Sequence, residues 1–204
     1  MTNVDWQFHL EKASENWRQW QDVYEHTEDP HHNPLLVDST TFGRFLKRYS
    51  VGRTIRRGTS DALRELLRSS QFPLKELLED TSGAMLDEQN DKLRDKFGTH
   101  DGRHGLRSAL SKIAAFLAPH AFNPWDTDAR AGLKREQQGR SQRVRTYVDY
   151  LAHLEELLRG ELGARIRDVC NGKYPTEYAA NRDRFHRRVL DRYLMVLGGR
   201  KKRE

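Results

Sequence analysis

At 204 residues the chain can bury one sizeable core, or two small lobes that share a cleft. Charged residues make up 32% of it and the net charge is +6 with a sequence pI near 9.5, a balance that favours an acidic partner, nucleic acid first among them. Cys170 is the only cysteine, which excludes an internal disulfide and a multi-cysteine zinc site; with no basic-then-apolar leader in MTNVDWQFHLEKASENW and no apolar run of membrane-spanning length, the expected setting is the cytoplasm, away from membranes.

The first predicted helix runs from Asp5 to about Glu25, with Phe8 or Leu10, Ala13, Trp17, Trp20 and Tyr24 along one side. Its tryptophans are expected in the core rather than as platforms for nucleic-acid bases. HTEDPHHNPLL then reads as a loop, and His26, His31 and His32 lack the helical spacing of a dedicated metal site, so no metal is expected. A helix beginning at Ser39 or Thr40 carries Phe42, Phe45, Leu46 and Tyr49. Arg44, Lys47, Arg48, Arg53, Arg56 and Arg57 crowd this region and the following SVGRTIRRGTS, a density suited to a phosphate backbone, with a solvated face as the plain alternative. Ser60 is placed to cap DALRELLRSS and Pro73 to open LKELLED. An amphipathic helix from Ser82 to Phe97 delivers the chain to a glycine-punctuated turn, GTHDGRHG.

The centre of the chain is the next stretch. Leu106, Ala109, Leu110, Ile113, Ala114 and Leu117 recur at spacings of three and four, which predicts a helix with a broad apolar face, ended near Ala118 by Pro119. Phe122 and Trp125 are expected to anchor the following loop, and Asp126 stands where a helix N-cap belongs, before TDARAGLKR. Beyond the polar REQQGRSQR, Ser141 is a candidate cap for a helix with Val144, Tyr147, Val148, Leu151, Leu154, Leu157 and Leu158 in its stripe. Gly160 and Gly163 interrupt it and leave Ala164 to Val169 as a second piece. Asn171-Gly172 ends that piece, Pro175 starts the last helix, and Gly198-Gly199 precedes a cationic RKKR tail. No stretch alternates convincingly as a strand, so the fold class is all-α. Residues 1–204 read as one helical domain, a division into lobes of about 39–136 and 1–38 plus 140–204 being left open.

The order of turn, apolar helix, extended apolar segment and aspartate at a helix start, in HGLRSALSKIAAFL and HAFNPWDTDARAGL, resembles the core of the helix-hairpin-helix DNA glycosylase superfamily. That resemblance implies backbone N–H groups of a glycine hairpin on DNA phosphates, here Gly102 to Gly105, and a carboxylate assisting loss of a flipped-out base, here Asp126. GRHG stands where the family has Leu-x-Gly-hydrophobic-Gly, and Arg107 stands near the lysine nucleophile of the lyase members; a guanidinium cannot form a Schiff base. The implied activity is a monofunctional glycosylase-like hydrolase without a cofactor. Arg103 and Arg107 would grip phosphate, with Lys112, Arg53, Arg56 and Arg57 as further cations on DNA, although Lys112 by itself reads as a surface lysine beside the buried stripe.

Two readings stay open. Capping alone accounts for Asp126, and a non-enzymatic helical module for nucleic acid or a protein partner accounts for the charge. Phosphate-loop, dinucleotide, zinc-protease and kinase motifs are absent from the sequence. Oligomeric state does not follow from it.

Overall fold

Helix is the dominant regular structure of the computed structural model, which describes residues 4–99, 106–137, 144–171 and 182–199. Among them the one extended pairing is an isolated antiparallel bridge between Ile55 and Gly98, so the fold is all-α as expected. In chain order the helices are α1 (Trp6–Gln19), α2 (Gln21–Glu25), α3 (Pro34–Val37), α4 (Ser39–Arg48), α5 (Ser60–Arg68), α6 (Leu74–Glu79), α7 (Ala84–Phe97), α8 (Arg107–Leu117), α9 (Thr127–Glu136), α10 (Tyr147–Arg159), α11 (Glu161–Asn171) and α12 (Arg182–Leu197). No described helix is long and apolar enough to cross a membrane.

The chain forms two compact units, Trp20–Pro124 and the combination of Met1–Gln19 with Trp125–Glu204. These limits differ from the lobes read off the sequence: residues 20–38 join the unit of the apolar helix, while Asp126 and α9 go with the N- and C-terminal helices. The single helix expected from Asp5 to Glu25 breaks at Trp20, whose backbone (φ −122°, ψ 23°) leaves the helical region. That break coincides with the boundary between units, where an unbroken apolar period gave no sign of it.

In the unit of residues 20–124, α8 is the centre. Every side chain from Ala109 to Leu117 is buried, a wider burial than one apolar face requires and the mark of a helix enclosed by its neighbours. Phe116 is its keystone, with ring centroids of Tyr24, Trp20, Phe45 and Tyr49 at 5.1, 5.4, 5.1 and 4.9 Å. The segment read as a loop after α2 holds a short 3-10 turn at Pro30–His32 as well as α3. The reason is local: Asp29-Pro30 and Asn33-Pro34 each place a capping side chain before a proline at the first helical position, a position where proline's missing N–H costs nothing. Asn33 is fully buried and satisfied on both sides. Its oxygen accepts from Leu35 N at 2.9 Å, and its amide donates to the carbonyls of Val23 and His26 at 2.8 and 2.7 Å.

Several helix starts follow short polar side chains, not always those expected. Asp38 caps α4, accepting from the N–H groups of Thr40 and Thr41 at 3.0 and 2.9 Å. Thr59 rather than Ser60 precedes α5, and its hydroxyl donates to Arg56 O instead of capping. Thr146 and Asp149 form a reciprocal capping box at α10; the expected cap Ser141 lies outside the described residues, as do Gly139, Gly172, Pro175, Tyr178 and the RKKR tail.

Two of these caps carry a pH signature. The Asp38 carboxyl lies below its ordinary value of 3.8 because the Thr41 hydroxyl and the N–H groups of Thr40 and Thr41 favour the anion. Backbone N–H groups of Thr146 and Arg145, then the Thr146 hydroxyl, lower Asp149 in the same way. Since folding depresses both, their stabilisation is present above the unfolded carboxylate range of about 4 and is lost as pH falls through the folded values. Melting temperature should therefore fall on acidification below about pH 4, and a double Asp38→Asn, Asp149→Asn variant should show a shallower fall in the same scan. An identical acid limb in the variant would mean that other carboxylates control it.

The second unit is built on α9 and α12. A Cβ added to Gly132 would lie 1.9 Å from Leu194 O, and one added to Gly198 would lie 1.8 Å from Asp128 O. The two backbones therefore touch directly, an approach open only to glycine. Arg135 reinforces the crossing by donating to Leu197 O. Trp6 stacks on Tyr193 at 4.9 Å and Trp17 approaches Phe185 at 6.1 Å, seating α1 on α12. Of the two residues offered by the sequence as the inward one on α1, Leu10 is buried and Phe8 is half-exposed beneath the Arg192 guanidinium.

Candidate nucleic-acid interface

The basic stretch identified in the sequence forms the outer side of the first unit. On α4, Phe42 and Phe45 are buried, while Arg44, Lys47 and Arg48, at helical spacings of three and four, are exposed together. The Arg44 guanidinium lies over the Trp20 ring at 4.9 Å. After α4 the chain reverses through Ser50, the one described non-glycine residue with positive φ (53°), and Arg53 and Arg57 are exposed on the segment that follows.

That segment is fastened to the far side of the sequence. Ile55 bridges Gly98, the backbone N–H of Arg56 donates to Phe97 O at 2.7 Å, and the Arg56 guanidinium donates to Asp95 O at 2.5 Å. The arginine-rich loop thus meets the chain where the glycine turn begins, a juxtaposition that no local pattern in the sequence could announce. Gly102, Arg103 and Gly105 lie outside the described residues.

The remaining candidate cations are committed inside the unit. Arg107 pairs with Asp87 at 2.6 Å, joining α8 to α7. Lys112 is buried at 9% exposure, against the surface position expected of it, and its ammonium donates to Tyr49 O at 3.2 Å. There it serves the C-terminal end of α4, where a positive charge complements the helix dipole. Its place in the period, one residue after Ser111 and one before Ile113, marked it as flanking the stripe; burial on all sides of α8 is what drew it in.

Asp126 belongs to the other unit. It is half-buried with extended backbone (φ −109°, ψ 141°), and its carboxylate accepts from Asp128 N at 2.9 Å, so the expected cap is in place. Trp125 beside it meets Tyr150 edge-on at 5.3 Å and Tyr147 at 6.1 Å, while Arg130 covers the Trp125 ring at 4.4 Å. Tyr150 is fully buried, and burial, followed by the charge of Asp191, then Tyr147 and Asp126, pushes its hydroxyl well above the ordinary range. It remains an uncharged hydroxyl at any physiological pH. Sequence reasoning placed Tyr147 in the stripe but missed Tyr150, three residues on; Asp191 it could not find, because a carboxylate at a buried helical position breaks the very pattern used to recognise burial.

His26, His31 and His32 each have a separate partner: Asp22 O at 2.7 Å, Arg68 O at 3.1 Å and the Asp29 carboxylate at 2.7 Å. Among the described residues no three potential metal ligands are grouped. Comparison with protein-family models, with curated proteins and with solved structures gave no match.

Proposed function

We propose that the chain binds nucleic acid along the basic surface from α4 to Arg57, and that it is a DNA-glycosylase-like protein in which Asp126 is the carboxylate assisting departure of a flipped base. The observation that carries the binding reading is the tie between Ile55–Arg56 and Phe97–Gly98, which puts a run of exposed arginines at the entry to the glycine turn. Exposed cations grouped along one stretch suit a phosphate chain. The exposed surface supports a polar partner: among the described residues Val37 is the one large hydrophobic side chain that is exposed, whereas protein-docking surfaces are built around an apolar centre. For Asp126 the support is narrower. Its anion is held in place by the α9 N-terminus, as a carboxylate that stabilises a cationic sugar must be held.

A second reading, binding without chemistry, is favoured by one specific feature: the Asp126 bond to Asp128 N already explains an aspartate at that position. Asp126→Asn separates the two, since asparagine caps helices as well as aspartate but carries no charge. On duplexes containing a panel of damaged bases, the enzyme reading expects wild type to release free base and Asp126→Asn to do so at least about 100-fold more slowly, with the melting temperature little changed. Equal rates would remove Asp126 from the chemistry. Binding by wild type with no release from any duplex would leave the binding module.

A further inference from the structure

The residues around the basic surface also bear on what kind of nucleic acid it takes and how it is read. From Ser39 to Thr59 the chain has six basic residues and no Asp or Glu, Asn or Gln. Lys47, Arg48, Arg53 and Arg57 are exposed and none of them is in a described ion pair, so their charge is directed at solvent. Arg44 is partly engaged by the Trp20 ring and by the charge of Asp38. The aromatic side chains of the same stretch pack inward: Phe42 and Phe45 are buried, and Tyr49, half-buried, closes on Phe45 and Phe116.

Binders of single strands combine cations with exposed rings on which bases stack. This surface has the cations without a fully exposed ring, and without the amide side chains that read adenine edges. We infer that it grips the backbone of double-helical nucleic acid through charge alone, accepting DNA and RNA duplexes of any sequence; the inference rests on the nucleic-acid reading above. Duplexes are favoured over single strands for a physical reason. A double helix carries about one charge per 1.7 Å and releases about 0.9 counterion per phosphate contact, against about 0.7 for a single strand. With no stacking to offset that difference, the denser polyanion binds better.

The test uses the full chain with sequence-matched DNA and RNA duplexes, a scrambled pair and the corresponding single strands, each titrated over a range of salt. DNA, RNA and scrambled duplexes should bind within about threefold of one another, and single strands at least about tenfold more weakly. A fourfold variant, Lys47→Gln, Arg48→Gln, Arg53→Gln and Arg57→Gln, should lower the slope of log affinity against log salt by about 3 to 4. All four side chains are exposed, so a melting curve equal to wild type is expected and confirms a folded variant. Single strands bound as tightly as duplexes, a more than tenfold preference for one sequence or one sugar, or an unchanged slope in the folded variant would overturn the inference and leave nucleic-acid binding standing. No binding to any of the molecules at low salt would overturn both.

Discussion

Gly132→Ala is expected to destabilise the protein by at least about 2 kcal/mol, although alanine is ordinarily the better residue inside a helix. The added methyl group would stand 1.9 Å from Leu194 O and 2.7 Å from Leu194 C. Both are backbone atoms, so no side chain can swing aside, and relief requires α12 to move bodily off α9. Overpacking costs about 1–3 kcal/mol and occasionally more; a clash this close with backbone atoms stands at the upper end of that range or above it, which leaves at least about 2 kcal/mol once a gain of about 1 kcal/mol in helix propensity is subtracted. At this chain length the melting temperature should drop by about 4–8 °C. Gly43→Ala is the control. It lies on α4, where an added Cβ meets nothing within 4 Å, and the same substitution there should raise stability by about 0.5–1 kcal/mol. Opposite signs for the two changes, measured in one set of thermal melts, establish that contact of two backbones is the cause; a neutral Gly132→Ala would show that α9 and α12 separate at little cost.

The other large effect is expected at Phe116. Its side chain is fully buried and is the common neighbour of four rings, two of them, Phe45 and Tyr49, from α4 and its end. Phe116→Ala leaves a cavity the surrounding rings cannot all collapse into, and such truncations cost about 3–5 kcal/mol. The consequence reaches beyond stability. With its inner face unsupported, α4 loses the seat that holds Arg44, Lys47 and Arg48 outward, so affinity for a duplex at fixed salt should fall together with the near-ultraviolet dichroism of the aromatic cluster. Phe116→Leu, which keeps most of the volume, should have a much smaller effect on both. Full retention of stability in Phe116→Ala would contradict the central place given to this ring.

These two sites show where the sequence was legible and where it was not. The helix around Phe116 could be read from the period of Leu106, Leu110, Ile113 and Leu117, and its end from Pro119. The period identified an apolar face, but not that the remaining faces would be enclosed as well. Gly132 attracted no notice: a lone glycine in a helical stretch has no local signature of what approaches it, and here the partner is Leu194, far along the chain. The cap at Asp126 was legible because capping depends on the residue itself and the two or three that follow. Its surroundings were not, since Tyr147, Tyr150 and Asp191 come from helices much later in the sequence.

By itself, then, the sequence determined the properties that arise within a few residues: an all-helical chain, most helix ends, the basic run from Arg44 to Arg57 and the cap before α9. Tertiary structure alone decided the break at Trp20, the burial of Lys112, the pairing of Arg107 with Asp87, and the meeting of Ile55 with Gly98 at the mouth of the glycine turn. The dividing line is the range of the forces concerned. Helical period and capping act over one turn of chain and leave their mark in neighbouring letters, whereas burial and long-range pairing depend on which distant surfaces close on a residue.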